Sequence, residues 1–143
     1  MYTAEEIVNY MMANDAFSRW LGIEVDKISP GHSRLIMTIR EEMTNGFHIA
    51  HGGIVYSLAD SALAFAANAH GKIAKTIQLT CQYVQSLFLG QQLFAEAIET
   101  TRTRKFAYYT IHIYTDNEVV ATLQGMAYIS EKDWIIKSTS SGM

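Results

Sequence analysis

The alternation of polar and apolar positions changes period three times along this chain of 143 residues. At the start, Thr3 stands three residues before Glu6, a capping-box pattern, and Ile7, Val8, Met11 and Met12 repeat at helical spacing. This predicts a helix ending near Asn14 or Asp15. Phe17, Trp20, Leu21 and Ile23 form a packing segment leading into a short strand over Glu24–Ser29, and Pro30-Gly31 marks a turn. A second strand is expected over Arg34–Arg40. From Ile54 to Asn68 the pattern is helical again but apolar nearly all round, and Gly71 is placed to end it. Beyond it the period drops to two. Strands are predicted over Ala74–Gln85, Leu93–Thr101, Lys105–Tyr114 and Val119–Ser130, with turns at Leu89-Gly90 and Asp116-Asn117. In Leu93–Thr101, Leu93, Ala95, Ala97 and Glu99 share one face.

A helix, two strands, a long apolar helix and four consecutive antiparallel strands make an α+β pattern. A helix with no polar face needs enclosure, and a curved antiparallel sheet wrapped around it is the simplest solution. No repeat or linker divides the chain, so residues 1–143 read as one domain. Within it, 1–20 is an N-terminal helical segment and 131–143 a flexible tail. With 49% apolar and only 17% charged residues, the chain has more apolar surface than a small monomer hides, so self-association is expected. Net charge is −3 and the longest basic run is Arg102-Thr103-Arg104-Lys105, which argues against nucleic acid. The single Cys81 excludes an intrachain disulfide. The start lacks the basic and apolar regions of a secretory signal, and no apolar run is long enough to span a membrane. A cytoplasmic location is the expectation.

Candidate chemistry concentrates in Asn45-Gly-Phe-His-Ile-Ala-His-Gly-Gly53 and the helix behind it. Asp60 is the only carboxylate in that helix, and an acid among apolar neighbours is costly unless it is partnered or reactive. Gly52 and Gly53 leave the first N–H groups of the helix open, where the helix dipole favours an anion or a developing oxyanion. His48 and His51 are three apart, but no Cys or acid stands at ligand spacing beside them, so no metal is expected. No base is placed by sequence to activate Cys81, which reads as a small buried hydrophobe.

Asn45 through Gly53 followed by Leu58-Ala59-Asp60 resembles the Asn…His-Gly-Gly…Leu-Ala-Asp signature of the hotdog-fold acyl-CoA thioesterases, the phenylacetate-degradation type above all. The similarity covers roughly Trp20 to Ser130. It implies hydrolysis of an acyl-CoA thioester without cofactor, by a homodimer as minimal unit arranged as a dimer of dimers. Carried over, Asp60 matches the acid that serves as general base or nucleophile. Gly52 matches the glycine whose N–H polarises the thioester carbonyl, and Asn45 the amide that positions water or carbonyl. His51 matches a histidine that fixes the loop or takes part in catalysis, and Thr76 a hydroxyl near the carboxylate. Gly53 and Tyr83 fall beside the substrate, and Thr103, Arg104 and Lys105 where relatives contact CoA. Two positions depart from the pattern: His48 replaces a common glycine, and Tyr83-Val84-Gln85-Ser86 replaces Phe-Leu-x-Pro. The acyl group implied is aryl, phenylacetyl or medium-chain. The alternatives are a non-catalytic acyl-CoA-binding module and a hotdog dehydratase or hydratase.

Gly52 and Asp60 are eight positions apart, roughly 12 Å along a helix. One carbonyl cannot touch both in a single chain. If both act on one substrate, they come from different subunits.

Overall fold

The computed structural model describes residues 1–137. Helix α1 spans Ala4–Asn14, its Thr3 hydroxyl accepting the Glu6 N–H at 3.1 Å, and it buries Ile7 and Val8. The segment expected only to pack is a second helix, α2, over Ala16–Leu21. Asp15 closes α1 and caps α2, taking the Ser18 N–H at 2.9 Å and the Ser18 hydroxyl at 2.6 Å. Gly22 ends α2 in the left-handed region at φ 75°. Strands β1 (Glu24–Ser29) and β2 (His32–Thr38) form a hairpin, and α3 runs from Gly52 to Asn68.

The remaining strands are β3 (Lys72–Tyr83), β4 (Gln92–Arg102), β5 (Phe106–Thr115) and β6 (Glu118–Asp133). All pairs are antiparallel, in the order β1-β2-β4-β5-β6-β3. Of the four later strands, β4, β5 and β6 are neighbours in chain order and β3 is not. β3 lies at the far edge against β6, and β4 joins β2 instead. The connection between β3 and β4 is held by Leu87, whose carbonyl accepts the Ala50 N–H at 2.7 Å, and by Gln91, whose carbonyl accepts the Ile39 N–H at 2.9 Å.

The sheet curves around α3, as its apolar circumference requires. Leu58, Ala59, Ala62, Leu63, Phe65 and Ala66 are fully buried. The small residues let the sheet approach, and Gly125 on β6 has no room for a Cβ beneath Leu63. Leu93, Ala95 and Ala97 face inward as their alternation predicts. At the far end of α3 the buried Asn68 is fully used. Its amide nitrogen donates to Ala64 and Ala74 carbonyls, and its oxygen accepts from the Ala74 N–H and the Trp134 indole. The expected tail begins later than 131, because β6 continues to Asp133 and the Trp134 N–H bonds the Gly71 carbonyl at 2.9 Å. The last part of the tail, 138–143, lies outside the described residues.

Candidate functional site

The loop before α3 is closed by its own backbone. Thr44 and Ala50 form a bridge, the Asn45 N–H donates to the Ile49 carbonyl at 2.9 Å, and the His48 N–H to the Asn45 carbonyl at 3.0 Å. His48, where a glycine is common, adopts φ 63° and so follows a glycine-like path. The Asn45 side-chain oxygen accepts the Phe47 N–H at 2.9 Å and the Ile49 N–H at 3.4 Å. Its oxygen is thus spent on the loop, and its NH₂ is left to donate outward.

His51 is the N-cap of α3: its Nδ1 accepts the Gly53 N–H at 3.2 Å. That bond occupies the ring nitrogen facing the helix and fixes the imidazole against the helix start. The Ile54 N–H is taken by the His51 carbonyl at 3.0 Å. The Gly52 N–H is the remaining donor of this helix start, without an acceptor among the described residues. A cavity of about 340 Å³ opens here, lined by Asn45, Ile49, Gly52, Val55, Tyr83 and Leu87 among others. Asn45, Gly52 and Tyr83 therefore meet at one place. The Tyr83 hydroxyl donates to the Gly52 carbonyl at 2.9 Å, a contact that sequence spacing does not disclose. Gly53 faces the other side of the helix start, in a shallower hollow with Phe17, Met43, Ile54 and Ser57.

Asp60 and Thr76 lie elsewhere. Hydrogen bonds align α3 with β3, from Gly52 against Tyr83, through Tyr56 to the Leu79 carbonyl (3.1 Å), to Asn68 against Ala74. Thr76 accordingly faces the stretch of α3 that carries Asp60. Among the described residues, Asp60 Oδ1 and Thr76 Oγ1 are the two buried side-chain polar atoms that lack a hydrogen-bond partner. Leaving such atoms unpaired is costly. Both belong to the residues singled out from sequence.

Thr103, Arg104 and Lys105 form the β4–β5 turn. The Thr103 hydroxyl accepts the Phe106 N–H at 3.0 Å, and Arg104 reaches Glu131 at 3.8 Å with both side chains largely exposed. The register pairs Lys75 and Phe106 with Tyr128, and Tyr83 with Ala121. Eight residues of strand, roughly 25 Å, thus separate this turn from the Gly52 end within one chain.

One polar cluster escaped the sequence reading. Glu99 points inward, as its alternation places it, and its Oε1 accepts the Tyr109 hydroxyl and bonds His70 Nε2, both at 3.0 Å, with Arg102 at 3.5 Å. Burial first, then Arg102, holds the His70 imidazole below its ordinary value against the pull of Glu99. Burial, with Glu99 beside it, pushes the Tyr109 hydroxyl far up. The cluster sits past the C-terminal end of α3, away from Gly52. Broader hollows of about 650 and 760 Å³ lie on the sheet, lined by residues such as Gln78, Thr80 and His112, or Arg34, Phe94 and Glu96. Neither contains the loop, Asp60 or Thr76.

Residues 47–122 match the thioesterase superfamily model. The acyl-coenzyme A thioesterase PaaI of Escherichia coli is 32% identical over 119 residues, covering 82% of this chain and 85% of that protein. The structure of the E. coli PaaI protein, from the phenylacetic acid degradation operon, superposes with a TM-score of 0.88 at 30% identity, covering 91% of this chain and 95% of that one. The TT0310 protein of Thermus thermophilus superposes with a TM-score of 0.77 at 32% identity, covering 80% and 97%. A six-stranded antiparallel sheet wrapped on one helix, an open amide at the helix start and, among the described residues, an unpaired buried carboxylate oxygen within it thus agree with the sequence match, and the chain belongs to the thioesterase superfamily as a hotdog-fold thioester hydrolase of the PaaI type.

Proposed function

We propose that the protein hydrolyses acyl-CoA thioesters at a site shared between two copies of the chain, acting in the cytoplasm on an aryl-, phenylacetyl- or medium-chain acyl group. The observation that carries this reading is the separation of the chemistry. The open Gly52 N–H and the Asp60 carboxylate lie roughly 12 Å apart along α3, and among the described residues neither that N–H nor Asp60 Oδ1 has a hydrogen-bond partner.

The fold supports a way to bring them together. β3 is a 12-residue edge strand, and Ile77 on it is 54% exposed. A long open edge is a template for pairing. Two β3 edges meeting about a two-fold axis run antiparallel, so each strand sets its Lys72 end beside the partner's Tyr83 end. Gly53, Ser57, Asp60 and Ala64 share one stripe of α3 and are not fully buried, leaving a narrow face for a second α3. The same inversion carries the basic β4–β5 turn of one copy toward the Gly52 end of the other. A dimer of such dimers is the assembly we favour.

In the reaction, the Gly52 N–H and the helix dipole stabilise the oxyanion that develops as the carbonyl is attacked, and the Asn45 NH₂ orients carbonyl or water. Asp60 of the other copy either removes a proton from the attacking water or adds to the carbonyl itself. Thr76 supplies a hydroxyl at the level of that carboxylate. Phenylacetate degradation is the pathway in which such an activity fits, given the operon of the E. coli relative.

Release of free CoA thiol from a panel of phenylacetyl-, benzoyl-, hexanoyl- and acetyl-CoA tests this. We expect turnover of at least one of the first three with kcat/KM above about 10⁴ M⁻¹ s⁻¹. Binding of these esters without thiol release would establish a non-catalytic module and refute the hydrolase. Oxygen-isotope label entering the Asp60 side chain over repeated turnovers would assign it as nucleophile rather than general base.

A further inference from the structure

Two consecutive glycines are the most mobile backbone a chain can place at a reacting centre, yet an oxyanion donor is useful only when it is already aimed. The peptide between Gly52 and Gly53 is held on both edges. Its N–H, from Gly53, donates to His51 Nδ1 at 3.2 Å, and its carbonyl, from Gly52, accepts the Tyr83 hydroxyl at 2.9 Å. His51 comes from the loop, whereas Tyr83 comes from the last position of β3.

The contact is close as well as polar. A Cβ at position 52 would stand 3.0 Å from the Tyr83 hydroxyl oxygen and 3.1 Å from the ring carbon that bears it. Glycine at 52 is thus what lets the hydroxyl reach the carbonyl. Burial, with Cys81 and Tyr56 beside it, pushes the Tyr83 hydroxyl up from its ordinary value, so it stays a protonated donor at neutral pH. Its hydrogen is spent on the Gly52 carbonyl.

We propose that Tyr83 is a positioning residue for thioester hydrolysis: its hydroxyl clamps the Gly52–Gly53 peptide to the sheet, opposite the His51 clamp, and thereby aims the free Gly52 N–H into the cavity shared with Asn45. The inference rests on the proposed use of Gly52 as the oxyanion donor. The chain needs this clamp because the helix start has no side chain of its own to pack, and the strand end is the nearest rigid element. A phenylalanine there would fill the same space without the bond.

Tyr83→Phe tests it, read in two independent ways on the full-length protein. Steady-state kinetics on the best acyl-CoA of the panel should show kcat lower by about tenfold, less than the roughly hundredfold or greater loss of a whole oxyanion donor, with KM within about twofold. Amide hydrogen exchange followed by NMR should become faster at Gly53, whose N–H belongs to the clamped peptide, and stay unchanged along the rest of α3. Unchanged kcat overturns the proposal whatever exchange does. A lower kcat with unchanged exchange also overturns it and makes the hydroxyl a direct substrate contact. Faster exchange along all of α3 with a lowered melting temperature reduces Tyr83 to a structural role. A wild-type protein inactive on every acyl-CoA would refute the function, and exchange alone would then decide whether the clamp exists.

Discussion

Mixing two differently damaged chains gives the sharpest consequence of the distance between Gly52 and Asp60. Asp60→Asn keeps the shape of the side chain but removes its charge, and should lower kcat about a hundredfold or more. Gly52→Val inserts bulk where even a single Cβ would meet Tyr83 at 3.0 Å, so it displaces the strand end and disturbs the open amide. Each homodimer should then be nearly inactive. Random pairing of equal amounts places about half of all dimers in the mixed class. If each site takes its Gly52 from one chain and its Asp60 from the other, a mixed dimer has one site built from two intact halves and one from two damaged halves. One good site out of two, in half of the dimers, restores about a quarter of wild-type activity. If both groups served a same-chain site, every site would lack one of them and activity would stay at roughly the hundredth left by Asp60→Asn. The two outcomes differ about 25-fold. Co-refolded mixtures assayed for CoA thiol release, with heterodimer content measured by native mass spectrometry, read the difference directly. Complete subunit exchange without recovery refutes the shared site, and so does a fully active monomer.

Removing both charges with Arg104→Ala and Lys105→Ala should raise KM for acyl-CoA about threefold to tenfold, as expected for exposed ion contacts, and spare a short thioester that lacks the nucleotide. Equal losses on both substrates would refute a phosphate-binding role for this turn. His70 is held below its ordinary value by burial, so the unfolded chain binds a proton that the folded chain resists. Its contribution to stability is intact above the unfolded value of about 6.5 and is lost as pH falls below it. Urea midpoints between pH 7.5 and 5 should therefore fall more steeply for wild type than for His70→Asn, and parallel profiles would refute the assignment. Gly125→Ala should destabilise by about 1–3 kcal/mol through overpacking, since the new methyl runs into buried Leu63 and lies 2.9 Å from Leu79 Cδ1. An unchanged urea midpoint would show that α3 can shift to accept it.

What the sequence determined by itself is what depends on a few adjacent residues. Thr3 and the Ile7–Val8 stripe specify α1, the uninterrupted apolar run specifies α3, and the alternation of Leu93, Ala95 and Ala97 specifies the inner face of β4, each bearing its signal within a turn or two of chain. Gly52 and Asp60 stand out in the sequence as candidates for a related reason. A bare helix start and a lone carboxylate in an apolar helix are costly wherever they fold, so they mark themselves. The short α2 shows in the sequence only as a packing segment, because six residues carry too little of a helical period and its boundaries rest on Asp15 and Gly22. Tertiary structure alone decided the rest. β3 sits beside β6 rather than β4 because pairing between strands far apart in sequence is set by which edges the wrapped helix leaves open. The Tyr83 hydroxyl reaches the Gly52 carbonyl across 31 positions, and Glu99 gathers His70 and Tyr109 from different elements. Such contacts have no period and no fixed spacing. They exist only once the sheet has closed around α3 and brought distant side chains within the 3 Å or so that a hydrogen bond requires.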